Sequence, residues 1–246
     1  MKLNKEFIQN NFDRASLSYD SVASIQRECA LILVKYLKKY FPNFYPYSIL
    51  DLGTGTGYVA EVLLNFFPKS KLVLNDISFN MLMQAKKKLL NDDIEFIMSD
   101  MEDRNFNFHD LVISNFSIQW VTNVKDLLKY FSSNSIVFAF TCLLDGTFKN
   151  WISFFLESSL PIPVCKYPSE KDMENYLISL KLNNYVYNIK EFSLEFLNSV
   201  EFIRYLKKLG ANYSSNKLMI TDLRKIIKNY KDRFIVNYKV FFGFLN

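Results

Sequence analysis

Residues 49–57 read Ile-Leu-Asp-Leu-Gly-Thr-Gly-Thr-Gly, an apolar run carrying one aspartate and closed by three glycines at alternate positions. A second apolar run, Lys71 to Leu74, ends at Asp76, nineteen residues beyond Gly57. A strand, a tight glycine turn, a helix and a next strand read this way in nucleoside-binding α/β units. The spacing also restricts the ligand. A dinucleotide fingerprint needs a glycine where Tyr58 stands, so that the helix can start close against a pyrophosphate. Here Gly53, Gly55 and Gly57 let the backbone approach a small group without forming a phosphate cradle. S-adenosylmethionine, a nucleoside joined to an amino acid without phosphate, fits that turn better than NAD.

The rest of the chain continues the rhythm. Helical periodicity runs from Ser24 to Tyr40 and is closed by Pro42 and Pro46. Strands are expected at Tyr47–Leu52, Lys71–Asn75, Ile94–Met98, Leu111–Ser114 and Ser135–Thr141, the third and fourth of them buried. Helices are expected at Tyr58–Phe67, Ser78–Leu90 with Ser78 as N-cap, and Asp126–Phe131. Strand alternating with helix implies a parallel sheet with right-handed crossovers. After Gly146 the pattern changes. Phe148–Leu156 reads as an aromatic helix, Pro161 and Pro163 break the chain, and Ser169-x-x-Asp172 opens a helix to Leu180. Tyr185–Phe196 alternates as a strand, and Val200–Leu209 is an amphipathic helix ended by Gly210. Thr221–Tyr230 is a last helix and Phe234–Leu245 a closing strand.

Composition excludes several functions. The 246 residues, half of them apolar, suffice for one α/β domain. No apolar run approaches the roughly 20 residues of a membrane span. Met1 to Glu6 carries charge without a following apolar region, unlike a secretory signal. Cys29, Cys142 and Cys165 have no paired spacing, which suits reduced thiols in the cytoplasm. A lone His109 and no Cys/His cluster argue against a metal. The net charge of +5 comes from scattered lysines, the pattern of solvated helix faces rather than of a nucleic-acid groove.

The candidate site residues follow the strand ends. Asp76, with Ile77 beside it, can accept hydrogen bonds from both ribose hydroxyls, or else cap the helix that begins near Ser78. Asp100, in Ser99-Asp100-Met101-Glu102, can meet an adenine edge while the Met101 backbone N–H serves a ring nitrogen, or be a turn aspartate. Asp51 either fixes the glycine turn or faces the cofactor's ammonium group, since a buried aspartate needs a partner. Ser114-Asn115-Phe116-Ser117-Ile118-Gln119-Trp120 follows the fourth strand, where an acceptor would meet the cofactor. It lacks the Asn/Asp-Pro-Pro-aromatic tetrapeptide of amino-methylating DNA enzymes, and Phe116 and Trp120 serve equally as core.

The glycine turn, Asp76 and Asp100 together resemble the class I S-adenosylmethionine-dependent methyltransferases. Asn11-Phe12-Asp13-Arg14-Ala15-Ser16-Leu17-Ser18-Tyr19-Asp20, then Ile25-Gln26-Arg27, resembles the Phe-x-Arg-Ala-x-x-x-Tyr and Leu-Gln-Arg pattern of the malonyl-acyl-carrier-protein O-methyltransferases of biotin synthesis. Asp110 to Trp120 is similar to that family's Asp-Leu-x-x-Ser-Asn-Leu-x-x-Gln-Trp, and Arg204 to Ala211 to its Leu-Lys-x-Ile-Gly-Ala signature. The resemblance covers essentially the whole chain. It departs at Thr56, where many members have proline, and in a shorter prolyl cap, Pro161–Pro168.

This resemblance implies a Rossmann-like, doubly wound α/β fold: a mostly parallel seven-stranded sheet with N-terminal lid helices and a small helical cap after strand five. One domain would span residues 1–246, with lid helices to 46, a cofactor half at 47–145, cap and substrate-side elements at 146–233 and the closing strand at 234–246. S-adenosylmethionine would be held by Asp51, Gly53, Gly55, Gly57, Asp76, Ile77, Asp100, Met101 and Ser114. Tyr19 would belong to a lid over it, and with Asn115, Phe116, Gln119 and Trp120 would form the acceptor pocket. The acceptor implied is the malonyl carboxylate on acyl carrier protein or coenzyme A, methylated by a cytoplasmic monomer. A malonyl carboxylate is already ionised near neutrality, so no catalytic base is needed. A cation should orient it, Arg204 first and Lys166, Lys149 or Lys207 after it, although Arg204 reads equally as a surface residue. Two other readings are a methyltransferase for another small carboxylate or a quinone or phenol precursor, and a non-catalytic cofactor-binding partner subunit.

Overall fold

Buried parallel strands need helices on both faces of their sheet, and the computed structural model of this chain has that form. It describes residues 4–91, 93–182, 184–212 and 219–246; residues 1–3 of the N-terminal stretch read above lie outside the described residues. Strands β1 (Ser48–Leu52), β2 (Lys71–Asp76), β3 (Glu95–Met98), β4 (His109–Ser114), β5 (Ser135–Leu143), β6 (Tyr185–Phe196) and β7 (Phe234–Leu245) form one sheet. Their order is β3-β2-β1-β4-β5-β7-β6. The first five strands run parallel, and β7 is antiparallel to β5 and β6, so the sheet is mixed. Strand order reverses between β1 and β4. A crevice for a ligand is expected there, beyond the carboxyl ends of the strands.

The helices are α1 (Lys5–Ala15), α2 (Ser24–Tyr40), α3 (Tyr58–Phe66), α4 (Phe79–Leu89), α5 (Val124–Ser133), α6 (Lys149–Glu157), α7 (Glu170–Leu180), α8 (Ser199–Leu209) and α9 (Ile220–Asn229). Alternate strand residues feed two cores, as the period of two requires. Ile49, Leu111, Ile113 and Val137 join residues of α2, α3, α6 and α8 in one of them. Leu50, Leu52, Val112, Phe138 and Phe140 join α5 and α7 in the other. The helices after β5 therefore divide between the two cores. Helix α2 is likewise a core helix, and it is α1 with the 3-10 turn Tyr19–Ser21 that lies over the sheet's carboxyl end.

Several boundaries move for tertiary reasons. β1 starts at Ser48, because Tyr47 is exposed. β3 is not buried: it is an edge strand with Glu95 and Met98 open to solvent. β5 runs on to Leu143 because β7 pairs with its end, Cys142 against Phe241 and Leu143 against Val240. α5 starts two residues earlier, at Val124, from the Asn123 cap, and runs two further, to Ser133. Phe148 is the left-handed residue before α6 rather than its first residue, and its amide donates to the Asn237 carbonyl.

Candidate functional site

The glycine turn leaves β1 with Gly53, Gly55 and Gly57 all at positive φ (66°, 56° and 85°), conformations that cost any residue with a Cβ. A Cβ on Gly53 would lie 2.3 Å from Ser117 Oγ, so the turn and the loop after β4 touch through the missing side chain. Gly57 has a different task. It starts α3, and a Cβ there would press on Ala85 and Leu89 of α4 at 3.2 Å; it does not line the cavity beside the turn.

That cavity, about 820 Å³ and open to solvent, is bounded by Gly53, Gly55, Asp76, Ile77, Asp100 and Met101, with α1 above. Asp76 Oδ2 accepts the Gly55 amide and Oδ1 the Ser78 amide, each at 2.8 Å. The cap on the following helix and the tie to the glycine turn are thus both made. An ionised carboxylate has about four acceptor sites, so these two amides do not exhaust it. Burial pushes the Asp76 carboxyl up to about 6 against the pull of those amides. Asp51 lies behind the turn and outside the cavity lining: Oδ2 accepts the Thr54 hydroxyl at 2.7 Å and Oδ1 is buried without a partner. Burial raises it to about 7, with Asp76's charge adding.

Asp100 reaches the cavity already engaged. Its Oδ1 accepts Lys5 Nζ at 3.1 Å and the Glu102 amide at 3.0 Å, and Lys5 also pairs with Glu102. Lys5 carries no sequence signal beyond its place on α1, and only the docking of that helix brings it to the end of β3. Thr56, the departure from proline, donates its hydroxyl to Asp20, which also pairs with Lys88 of α4 at 2.7 Å. Burial raises the Asp20 carboxyl, but the hydrogen bonds from Lys88 and Thr56 outweigh it and hold it below the usual range.

The loop after β4 forms the opposite wall. Ser114 stays in the sheet, donating to the Leu52 carbonyl at 2.9 Å, and does not reach the cavity. Asn115 Nδ2 donates to the Gln26 carbonyl at 2.9 Å, and its Oδ1 accepts the Thr141 hydroxyl at 2.8 Å. Phe116 takes a left-handed φ of 54°. Gln119 folds back to donate to the Phe116 carbonyl, leaving Oε1 buried without a partner, and the Trp120 ring meets Phe12 edge-on at 5.7 Å. Behind this wall is a second cavity of about 380 Å³, to which Gln119, Leu143, Phe148, Tyr167 and Leu209 contribute. Phe12, Tyr19, Gln26, Phe116 and Trp120 border both cavities.

The cations expected to orient an acceptor are elsewhere. Arg204 and Lys207 are on the exposed face of α8, Lys166 is exposed in the prolyl segment and Lys149 at the start of α6; none lines either cavity. Gln26 and Tyr167 stand there instead. Gln26 was legible only as part of the Leu-Gln-Arg-like pattern, and nothing in the sequence marks Tyr167. Among the described residues no group of three His, Cys, Asp or Glu side chains is placed to hold a metal, and no helix is long and apolar enough to cross a membrane.

Residues 49–134, from β1 to the end of α5, match the family model for a methyltransferase domain. Over 241 residues the chain is 36 % identical to the malonyl-[acyl-carrier protein] O-methyltransferase of Neorickettsia risticii, covering 98 % of this chain and 96 % of that protein. It is 31 % identical to malonyl-[acyl-carrier protein] O-methyltransferase 1 of Ilyobacter polytropus, covering 94 % and 88 %. Among solved structures, the plantazolicin methyltransferase BpumL in complex with SAH has a TM-score of 0.52 at 17 % identity, with 98 % of both chains covered. The YcgJ protein of Bacillus has a TM-score of 0.58 at 12 % identity, covering 88 % of this chain and 97 % of that one. These two likenesses are of fold.

Proposed function

The chain belongs to the malonyl-[acyl-carrier protein] O-methyltransferase family, and from that premise we propose that it esterifies the free carboxylate of malonyl-acyl carrier protein, with S-adenosylmethionine as methyl donor, early in biotin synthesis. The observation that carries this reading is the pair of cavities with one shared wall: one at the strand ends that carries the carboxylates of Asp76 and Asp100, and one beyond Phe116 and Trp120 with no charged side chain among its described lining.

The residues of the first cavity suit the cofactor. Asp76 borders that cavity with acceptor capacity left for ribose hydroxyls. A Cβ on Gly55 would meet nothing within 4 Å, so the missing side chain leaves ligand space there. Asp51 braces the glycine turn from behind through the Thr54 hydroxyl and does not border the cavity. At the other end Asp100 and Met101 border the cavity where the adenine would lie. When bound, the cofactor supplies an electrophilic methyl group: an acceptor oxygen lone pair makes the new O–C bond, the old S–C pair stays on sulfur, and no proton moves. The chain's task is to align and to dry. Alignment of this kind lowers a barrier by roughly 7–11 kcal/mol, and the apolar side chains of the second cavity keep water from the acceptor oxygen.

Purified protein given labelled S-adenosylmethionine should label malonyl-acyl carrier protein in an ester that mild base releases; malonyl-coenzyme A in parallel measures how far the carrier matters. Labelling of some other acceptor while malonyl-carrier protein stays unlabelled would overturn the proposal.

A further inference from the structure

An anionic acceptor entering the second cavity meets no fixed cation. Among the described residues no lysine or arginine lines it, and Lys5, which lines the first cavity, is paired with Asp100 and Glu102. Gln26, in the first turn of α2, borders both cavities although only 4 % of it is exposed. Its Oε1 is buried without a partner, and its Nε2 donates to no described residue. Nε2 is the end of this amide that the protein does not enclose, so it is left as a donor to a ligand in the cavity, and a polar group half-enclosed in this way is costly unless a ligand completes it. The backbone beneath it is held fast. Asn115 donates to the Gln26 carbonyl, Thr141 donates to Asn115, and the Phe116 amide donates to Thr141 at 2.9 Å, which ties Gln26 to the ends of β4 and β5. Tyr19 borders the same two cavities, and its hydroxyl makes no hydrogen bond to a described residue.

We infer that Gln26 and Tyr19 hold the acceptor's carboxylate where the two cavities meet, as neutral hydrogen-bond donors in a site without a cation. This rests on the malonyl thioester being the acceptor. The choice of neutral donors has a physical reason. Methylation turns an anion and a sulfonium into a neutral ester and a neutral thioether, so the carboxylate's charge is already draining away in the transition state. A fixed cation would hold the fully charged ground state more tightly than the transition state, and binding of that kind slows the chemical step. An amide and a phenol orient the oxygen with less of that penalty. Burial, with Tyr58 nearby, raises the Tyr19 hydroxyl well above its ordinary range, so it stays a donor near neutral pH.

The test is Gln26→Met, which keeps the length and removes the donors. Malonyl-pantetheine titrated into protein saturated with S-adenosylhomocysteine should bind roughly 10- to 100-fold more weakly than to wild type, the factor for losing a hydrogen bond to a charged group. The KM for malonyl-acyl carrier protein should rise with it, and S-adenosylhomocysteine affinity should stay essentially unchanged. Gln26→Glu, nearly isosteric, should lose the acceptor by charge repulsion and keep the cofactor product; it and Tyr19→Phe answer the question if the methionine variant fails to fold. Unchanged acceptor binding in these variants, or equal losses for acceptor and cofactor product, would overturn the inference while active wild type left the substrate reading standing. Wild type that does not methylate malonyl-carrier protein would overturn that reading first and this inference with it.

Discussion

Asp76 sits in conflict with its surroundings: burial favours its neutral form, while the ribose it is read to hold favours the carboxylate. In the ligand-free protein its carboxyl titrates near 6 instead of 3.8. A protonated carboxyl is a weaker acceptor, so the Kd for S-adenosylhomocysteine should rise as pH falls through about 6, as calorimetry at pH 5 and 7.5 would read. Asp76→Asn should bind weakly at both pH values and lose the dependence. The sign for stability is opposite. A carboxyl whose folded pKa is raised contributes most below its unfolded pKa, and the contribution is lost as pH rises through the folded one. Asp51, near 7, acts in the same direction. These two groups should lower the Tm of ligand-free protein between pH 4 and 7, and the Tm gained on adding S-adenosylhomocysteine should grow over that range. The strand-end position of Asp76 was readable from apolar runs and spacing alone. Ser114 and Gly57 were not separable in this way from their neighbours: which way a strand-end serine points, and which helix a glycine admits, depends on partners distant in sequence.

Helix α8 shows what periodicity does and does not convey. Phe202, Tyr205, Leu206 and Leu209 face the core, and Glu201, Arg204, Lys207 and Lys208 face solvent. The same 3.6-residue period that marks the helix as amphipathic therefore turns Arg204 outward. Its last turn matters for the site in another way. Gly210 ends α8 at φ 74°, and a Cβ there would lie 2.9 Å from the Phe12 ring and 3.1 Å from Ala15 Cβ. The end of α8 thus sets how closely α1 lies. Gly210→Ala should destabilise the protein by about 1–2 kcal/mol from the left-handed backbone. By displacing Phe12 it should also weaken S-adenosylhomocysteine binding; a Tm loss with unchanged affinity would confine the effect to α8.

Across the whole molecule, the segment over the first cavity is held by polar ties at three places. Lys5 pairs with Asp100 and Glu102 after β3, Asp13 accepts from Ser78 and Asn80 at the start of α4, and Asp20 pairs with Lys88 and Thr56. Each tie is partly open to solvent and so modest in strength. Cofactor exchange should accelerate with salt, and Lys88→Met should speed S-adenosylhomocysteine release by roughly two- to fivefold, as stopped-flow displacement would show. The α/β rhythm, nearly every element and the phosphate-free turn are legible in chain order, because they depend on residues within a few positions of one another. The sequence also carried enough motif to mark the family. Which polar groups face the acceptor was decided only when α1, α2 and the loop after β4 closed on one another. A cation somewhere on a helix is legible in sequence; its distance from a cavity bordered by residues as far apart as Phe12 and Tyr238 is not. The glycine turn is local and was readable, whereas Gln26 acquires its place through Asn115 and Thr141, long-range partners that only the folded sheet brings together.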